Sequence, residues 1–89
     1  MKILITGVAG FIGFSLAKYL LKKNNIVYGI DNLNKYYDVN LKKKRLTYLR
    51  VNFGKKFIFN KIDISNKKKI DKYFKKKKFH KVFHLAAQA

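Results

Sequence analysis

The sequence has no cysteine and no proline, and none of its acidic residues is glutamate. Without cysteine there is no disulfide framework, no thiolate metal site and no cysteine nucleophile. Two histidines are too few for a convincing zinc site. Negative charge is scarce: four Asp and Glu residues stand against 22 Lys and Arg, a formal net charge of +18. Chain length is short as well. At 89 residues there is room for one small domain and not for a two-domain enzyme. The uncharged run from Ile3 to Ala17 is too short to span a bilayer. Ser15-Leu16-Ala17 has the look of a signal-peptide cleavage site, but Gly7, Gly10 and Gly13 interrupt the run at regular spacing and argue against a leader. A cysteine-free chain without leader or span is expected in the cytoplasm, with no membrane partner.

What is present counters the picture of a disordered polycation. Hydrophobic residues make up 48% of the chain and aromatics 16%. A small, basic, aromatic-rich domain first points to nucleic-acid binding, and the pattern along the chain tests that idea.

Lys2 to Thr6 is a short apolar run with β-branched residues, ended by Gly7, and reads as a strand buried on both faces. From Phe11 the period changes. Ile12, Leu16 and Leu20 recur every four residues beside a Gly13, Ala17, Leu21 row, which predicts an amphipathic helix ended by Asn24-Asn25. Ile26 to Ile30 reads as a second strand, stopping at Asp31. Asn32 to Tyr37 reads as a polar and aromatic loop. Asp38 can cap a helix whose Val39, Leu46 and Leu49 share a face. Phe57 to Ile62 is a third strand, stopping at Asp63. Ser65 or Asn66 can cap a third helix with Ile70, Tyr73 and Phe74 on one side and Lys75–Lys78 at its C-terminal end, where cations are favourable. Lys81 to Leu85 is a fourth strand. The pattern β-α-β-α-β-α-β implies an α/β fold, a Rossmann-like doubly wound parallel sheet with strand order 3-2-1-4.

The glycines sit between the first strand and the first helix, and that context gives them meaning. Gly7 allows the tight turn, Gly10 lets backbone approach a phosphate, and Gly13 lets the helix pack on the sheet. The N–H groups around Phe11 and Ile12 would then hold a pyrophosphate. Asp31 follows Gly13 by 18 residues, close to the spacing of the acid that grips an adenosine ribose. Its carboxylate would repel a 2′-phosphate, which favours NAD over NADP. Asp63 can accept from an adenine amino group or simply cap a helix. Leu85, Ala86 and Ala87 end the fourth strand with small residues where a cofactor would cross the sheet. His84 reads as a packed strand residue.

The segment Thr6-Gly7-Val8-Ala9-Gly10-Phe11-Ile12-Gly13 resembles the TGxxGFIG fingerprint of extended short-chain dehydrogenase/reductases. Gly29 to Val39, with Leu41-Lys42 and Arg45-Leu46, resembles the UDP-glucuronate 4-epimerase branch of the NAD-dependent epimerase/dehydratase family, and so does His84-Leu85-Ala86-Ala87-Gln88-Ala89. The resemblance implies that Gly7, Gly10, Phe11, Ile12 and Gly13 bind the NAD pyrophosphate. It implies that Asp31 and Asn32 bind the adenosine ribose, that Asp63 and Ile64 flank the adenine, and that Leu85, Ala86 and Ala87 line the nicotinamide side. It implies a parent enzyme, a homodimer, that interconverts UDP-sugars by hydride abstraction at C4 and a 4-keto intermediate.

The family's catalytic Ser or Thr and its Tyr-x-x-x-Lys pair lie beyond a fourth strand. Tyr73 and Lys77 share that spacing, but they precede the fourth strand, so the match reads as coincidence. Residues 1–89 are therefore expected to be the N-terminal part of an NAD-binding domain, without catalytic residues, metal site or turnover of their own. A related nucleotide-sugar dehydratase or reductase is the alternative parent. A nucleic-acid-binding domain is the alternative of another class, but lysine is spread over every helix while most aromatics sit at core spacing, so no specific nucleic-acid partner is expected.

Overall fold

The computed structural model describes residues 1–33 and 38–86. Four strands alternate with three α-helices: β1 (Lys2–Thr6), α1 (Phe11–Lys22), β2 (Ile26–Asp31), α2 (Val39–Phe53), β3 (Phe57–Lys61), α3 (Lys67–Lys76) and β4 (Lys81–His84). A 3₁₀ turn, Gly54–Lys56, links α2 to β3. The sheet order is β3-β2-β1-β4, as the alternating pattern predicts, and every pairing is parallel. Register places Ile3 between Val27 and Lys81, and Thr6 between Ile30 and His84.

The continuous apolar run of β1 follows from its central place. Ile3 and Ile5 face one layer, with Ala17 and Leu21 of α1 and Leu46 and Leu49 of α2. Leu4 faces the other, with Ile30, Tyr73 and the partly buried Tyr28, Ile70 and Phe79. Leu4 and Ile5 are fully buried, each contributing roughly 1.5–3 kcal/mol relative to an exposed side chain. Phe79 anchors the second layer: its ring lies 5.3 Å from Tyr28, 5.8 Å from Tyr73 and 5.9 Å from Phe74.

Local chemistry sets the helix ends. In α1 the buried row is Gly13, Ala17 and Leu21, and the helix stops where Asn24 turns left-handed (φ 68°). Asp38 caps α2 by accepting from the amides of Asn40 at 2.9 Å and Leu41 at 3.3 Å. Asn66, one of the two anticipated caps, starts α3 by accepting from the Lys69 amide at 3.2 Å. The fold thereby gathers the C-terminal ends of β1, β2 and β4 at one edge, with the N-terminus of α1 beside them. Among the described residues no helix is long and apolar enough to cross a membrane.

Candidate functional site

A cleft of about 670 Å³ opens at that edge, lined by the β1–α1 turn, the ends of β2 and β4, and one face of α2. Its floor is the glycine turn. Gly7 has φ +73°, and a Cβ there would meet the Ala86 amide at 2.8 Å. Both facts demand glycine. The Gly7 amide donates to the Ile30 carbonyl at 2.9 Å, which ties the turn to the end of β2. A Cβ on Gly13 would overlap the Gly7 carbonyl, so close packing of α1 on the turn depends on that residue.

Gly10 is the N-cap of α1 and contributes no side-chain cap. Intrahelical bonding begins with the Phe14 amide, which donates to the Gly10 carbonyl at 2.9 Å. The first-turn amides of Phe11, Ile12 and Gly13 therefore have no intrahelical acceptor and sit at the positive end of the helix dipole. Phe11, Ile12 and Gly13 all line the cleft. This is the geometry of an anion cradle.

Asp31 ends β2 and is only 7% exposed. Its Oδ2 accepts from the Ala9 amide at 3.0 Å and its Oδ1 from the Leu33 amide at 2.9 Å. Lys42 Nζ of α2 stands 3.9 Å from Oδ1. A carboxylate offers about four lone-pair sites, so capacity remains for hydroxyl donors in the cleft.

On the β4 side, Thr6 Oγ1 accepts from the amides of Leu85 at 3.0 Å and Ala86 at 3.2 Å. With its lone pairs engaged, the hydroxyl donates its own proton to His84 Nδ1 at 2.8 Å. Thr6 thus pins the chain where β4 ends. His84 is exposed rather than packed, and its ring works as the acceptor for Thr6.

Of the residues expected at the site, Gly7, Gly10, Phe11, Ile12, Gly13, Asp31, Asn32, Ile64, Leu85 and Ala86 line this one cleft. Asp63 does not. Its Oδ1 accepts from the Ser65 amide at 2.9 Å and the Ser65 hydroxyl at 2.8 Å, which builds the turn before α3. These hydrogen bonds, the backbone one first, hold its carboxyl below the ordinary aspartate range. Ala87 lies outside the described residues.

The cleft also holds residues that the apolar pattern passed over. Asp38, the cap of α2, and Leu41, Lys42 and Arg45 within that helix line it. Their spacing of three, four and seven from Asp38 is one helical face, and reading polar periodicity as well as apolar would have found them. Tyr73 and Lys77, by contrast, lie outside this cleft. The Tyr73 ring is buried, and burial pushes its phenol up to about 12, the opposite of what a tyrosine base needs.

The parallel β-α-β order, with a glycine turn leading from the first strand into the first helix beside a strand-end aspartate, defines a fold of the Rossmann type. The family model described as GDP-mannose 4,6 dehydratase matches residues 4–89. The chain belongs to this family, within the NAD-dependent epimerases and dehydratases of the short-chain dehydrogenase/reductase type. It is 48% identical, over its whole length, to protein CapI of Staphylococcus aureus, covering 26% of that protein. It is 45% identical to UDP-glucuronate 4-epimerase of Thermodesulfobacterium geofontis, across 97% of this chain and 26% of the relative. The crystal structure of UDP-glucuronic acid 4-epimerase from Bacillus cereus, in complex with UDP-glucuronic acid and NAD, superposes with a TM-score of 0.82 at 39% identity. That match covers 98% of this chain and 26% of the epimerase. The chain thus spans about a quarter of the length of the relatives it matches.

Proposed function

We propose that this chain is the NAD-binding N-terminal portion of a nucleotide-sugar 4-epimerase of the UDP-glucuronate type, inactive alone. The observation that carries the NAD reading is the pairing of the buried Asp31 carboxylate with the uncapped first turn of α1, both open to one cleft. The donor set fits the cofactor part by part. Amides of Phe11 and Ile12 suit a diphosphate. Asp31 suits vicinal ribose hydroxyls and disfavours a 2′-phosphate. Ile62 and Ile64 offer an apolar wall for the adenine, and Leu85 and Ala86 a small-residue edge for the nicotinamide side. Asp63 joins the reading as a residue of the adenine loop that acts through its turn with Ser65. Bound NAD would supply the hydride acceptor and donor of the parent reaction. The residues of this chain bind and orient it.

The 4-epimerase assignment rests on the named relatives and on the Gly29 to Val39 segment with Lys42 and Arg45. The same reading places the protein in the cytoplasm and the parent in a homodimer, without a nucleic-acid or membrane partner.

Calorimetric titration with NAD tests the reading. The folded protein is expected to bind NAD saturably and more tightly than NADP. Asp31→Asn, with folding checked by circular dichroism, is expected to weaken NAD by about tenfold or more. A folded chain that takes up no NAD defeats the proposal. Epimerisation of UDP-glucuronate by the chain alone would overturn the claim of inactivity.

A further inference from the structure

The turn between β1 and α1 is tied down amide by amide. Gly7 and Val8 donate to the Ile30 carbonyl at 2.9 and 3.3 Å, and Gly10 donates to the Gly7 carbonyl at 3.1 Å. Ala9 donates to Asp31 Oδ2 at 3.0 Å. The last peptide of the turn, between Ala9 and Gly10, is held at its other end as well. The Ala9 carbonyl accepts from Arg45 Nη1 at 2.9 Å, a contact across 36 residues of sequence. The same guanidinium lies 5.9 Å from the ring centre of Phe11, the first residue of α1. Phe11 is 73% exposed. Arg45 itself lines the cleft.

We propose that Arg45 is a positioning residue for the dinucleotide diphosphate. It holds the Ala9–Gly10 peptide so that the Phe11 and Ile12 amides face the cleft, and it brings cationic charge to that end. This inference rests on the NAD reading above. The chemistry favours arginine, since a planar guanidinium can donate to a carbonyl in its plane and present its flat face to an aromatic ring, whereas an ammonium is a point charge without that fork geometry. Lys42, three residues earlier on α2, stands against Asp31, the carboxylate that holds the Ala9 amide, so α2 reaches Ala9 directly through Arg45 and indirectly through Asp31. Helix α2 does not depend on Arg45 for its own docking, because Leu46 and Leu49 are buried in the core.

The test compares Arg45→Met and Arg45→Lys with the unaltered chain. NAD affinity is read by calorimetry, adenosine affinity by ligand-detected NMR, and exchange of the Gly10 and Phe11 amides by NMR without ligand. Arg45→Met is expected to lose about tenfold or more in NAD affinity but less than about threefold for adenosine, which has no diphosphate. Its Gly10 amide is expected to exchange faster. Arg45→Lys, which keeps the charge but not the plane, is expected to recover only part of the NAD affinity. Unchanged NAD affinity in Arg45→Met, or equal losses for both ligands, overturns the assignment. If the unaltered chain binds no NAD, the cofactor reading itself fails. Amide exchange still decides the positioning role, which unchanged exchange at Gly10 would refute.

Discussion

The hydroxyl of Tyr73 is buried without a hydrogen-bond partner among the described residues. Desolvation by burial, with the nearby Tyr28 second, pushes its phenol from the ordinary value of 10.0 up to about 12. The sign of the consequence is definite. Below about pH 10 the phenol is neutral whether the chain is folded or not. Between about pH 10 and about pH 12 the unfolded chain loses the proton first, so folding is penalised there. Tyr73→Phe is expected to remove this alkaline loss. At neutral pH it is expected to stabilise by up to about 1 kcal/mol, since an unsatisfied buried hydroxyl is deleted. Urea unfolding of both proteins on either side of pH 10 checks it. Because 22 Lys and Arg titrate or repel in the same range, the quantity to read is the difference between the two proteins. A second residue-scale prediction concerns Gly29 in mid-strand. A Cβ there would lie 2.6 Å from Val8 Cγ1, and Val8 is fully buried. Gly29→Ala is expected to cost about 1–3 kcal/mol. Adding Val8→Ala should recover part of that cost, and additive losses in the double variant would show that the clash is not the cause.

At the scale of elements, α3 starts badly and ends well. Lys67, Lys68 and Lys69 occupy its first turn, where the dipole disfavours cations, while Lys75 and Lys76 occupy the last turn, where it favours them. Asn66 offsets part of the first cost by capping. Lys67→Glu is therefore expected to stabilise the fold by about 0.3–1 kcal/mol at low salt, read as a higher thermal midpoint. A lowered midpoint would mean that Lys67 makes a compensating contact. The elements also show what was legible beforehand. The bounds of β1 and α1 could be read directly, because burial on both faces and a four-residue small row leave few other solutions. The 3₁₀ turn at Gly54–Lys56 could not, since Gly54, at φ +56°, leaves open space where a Cβ would sit and so belongs to no apolar pattern. The cleft face of α2 was hidden for a different reason. Lys42 and Arg45 are polar residues buried or half-buried by their partners, Asp31 and the Ala9 carbonyl, which lie far away in sequence. Asp63 could be placed at the end of β3, but its choice between ligand and turn depended on Ser65, a local competition that spacing does not resolve.

Across the whole molecule, +18 charges must be accommodated with four acidic residues. Aromatic faces take part of the role of carboxylates. Lys18 lies 5.2 Å from the Tyr48 ring centre, Lys77 4.9 Å from that of Tyr28, and Arg50 5.6 Å from that of Phe59. Such contacts contribute about 0.5–1 kcal/mol each at exposed sites, less than is needed to cancel long-range repulsion. Raising salt from about 20 mM to about 300 mM is expected to stabilise the fold by about 1 kcal/mol, or roughly 4–8 °C in the thermal midpoint. Scanning calorimetry at the two salt levels reads this directly. A midpoint that stays level would show that the cations are already neutralised within the fold.

The pairing of β1 with β4 has a consequence for how the molecule is made. Thr6 meets His84 across 78 residues, and the Gly7 turn packs on the backbone at Ala86. The central strand β1 thus takes one neighbour, β2, from nearby sequence and the other, β4, across 78 residues. Closing so long a loop costs chain entropy before the contact rewards it, so the β1–β4 pairing is expected to slow folding.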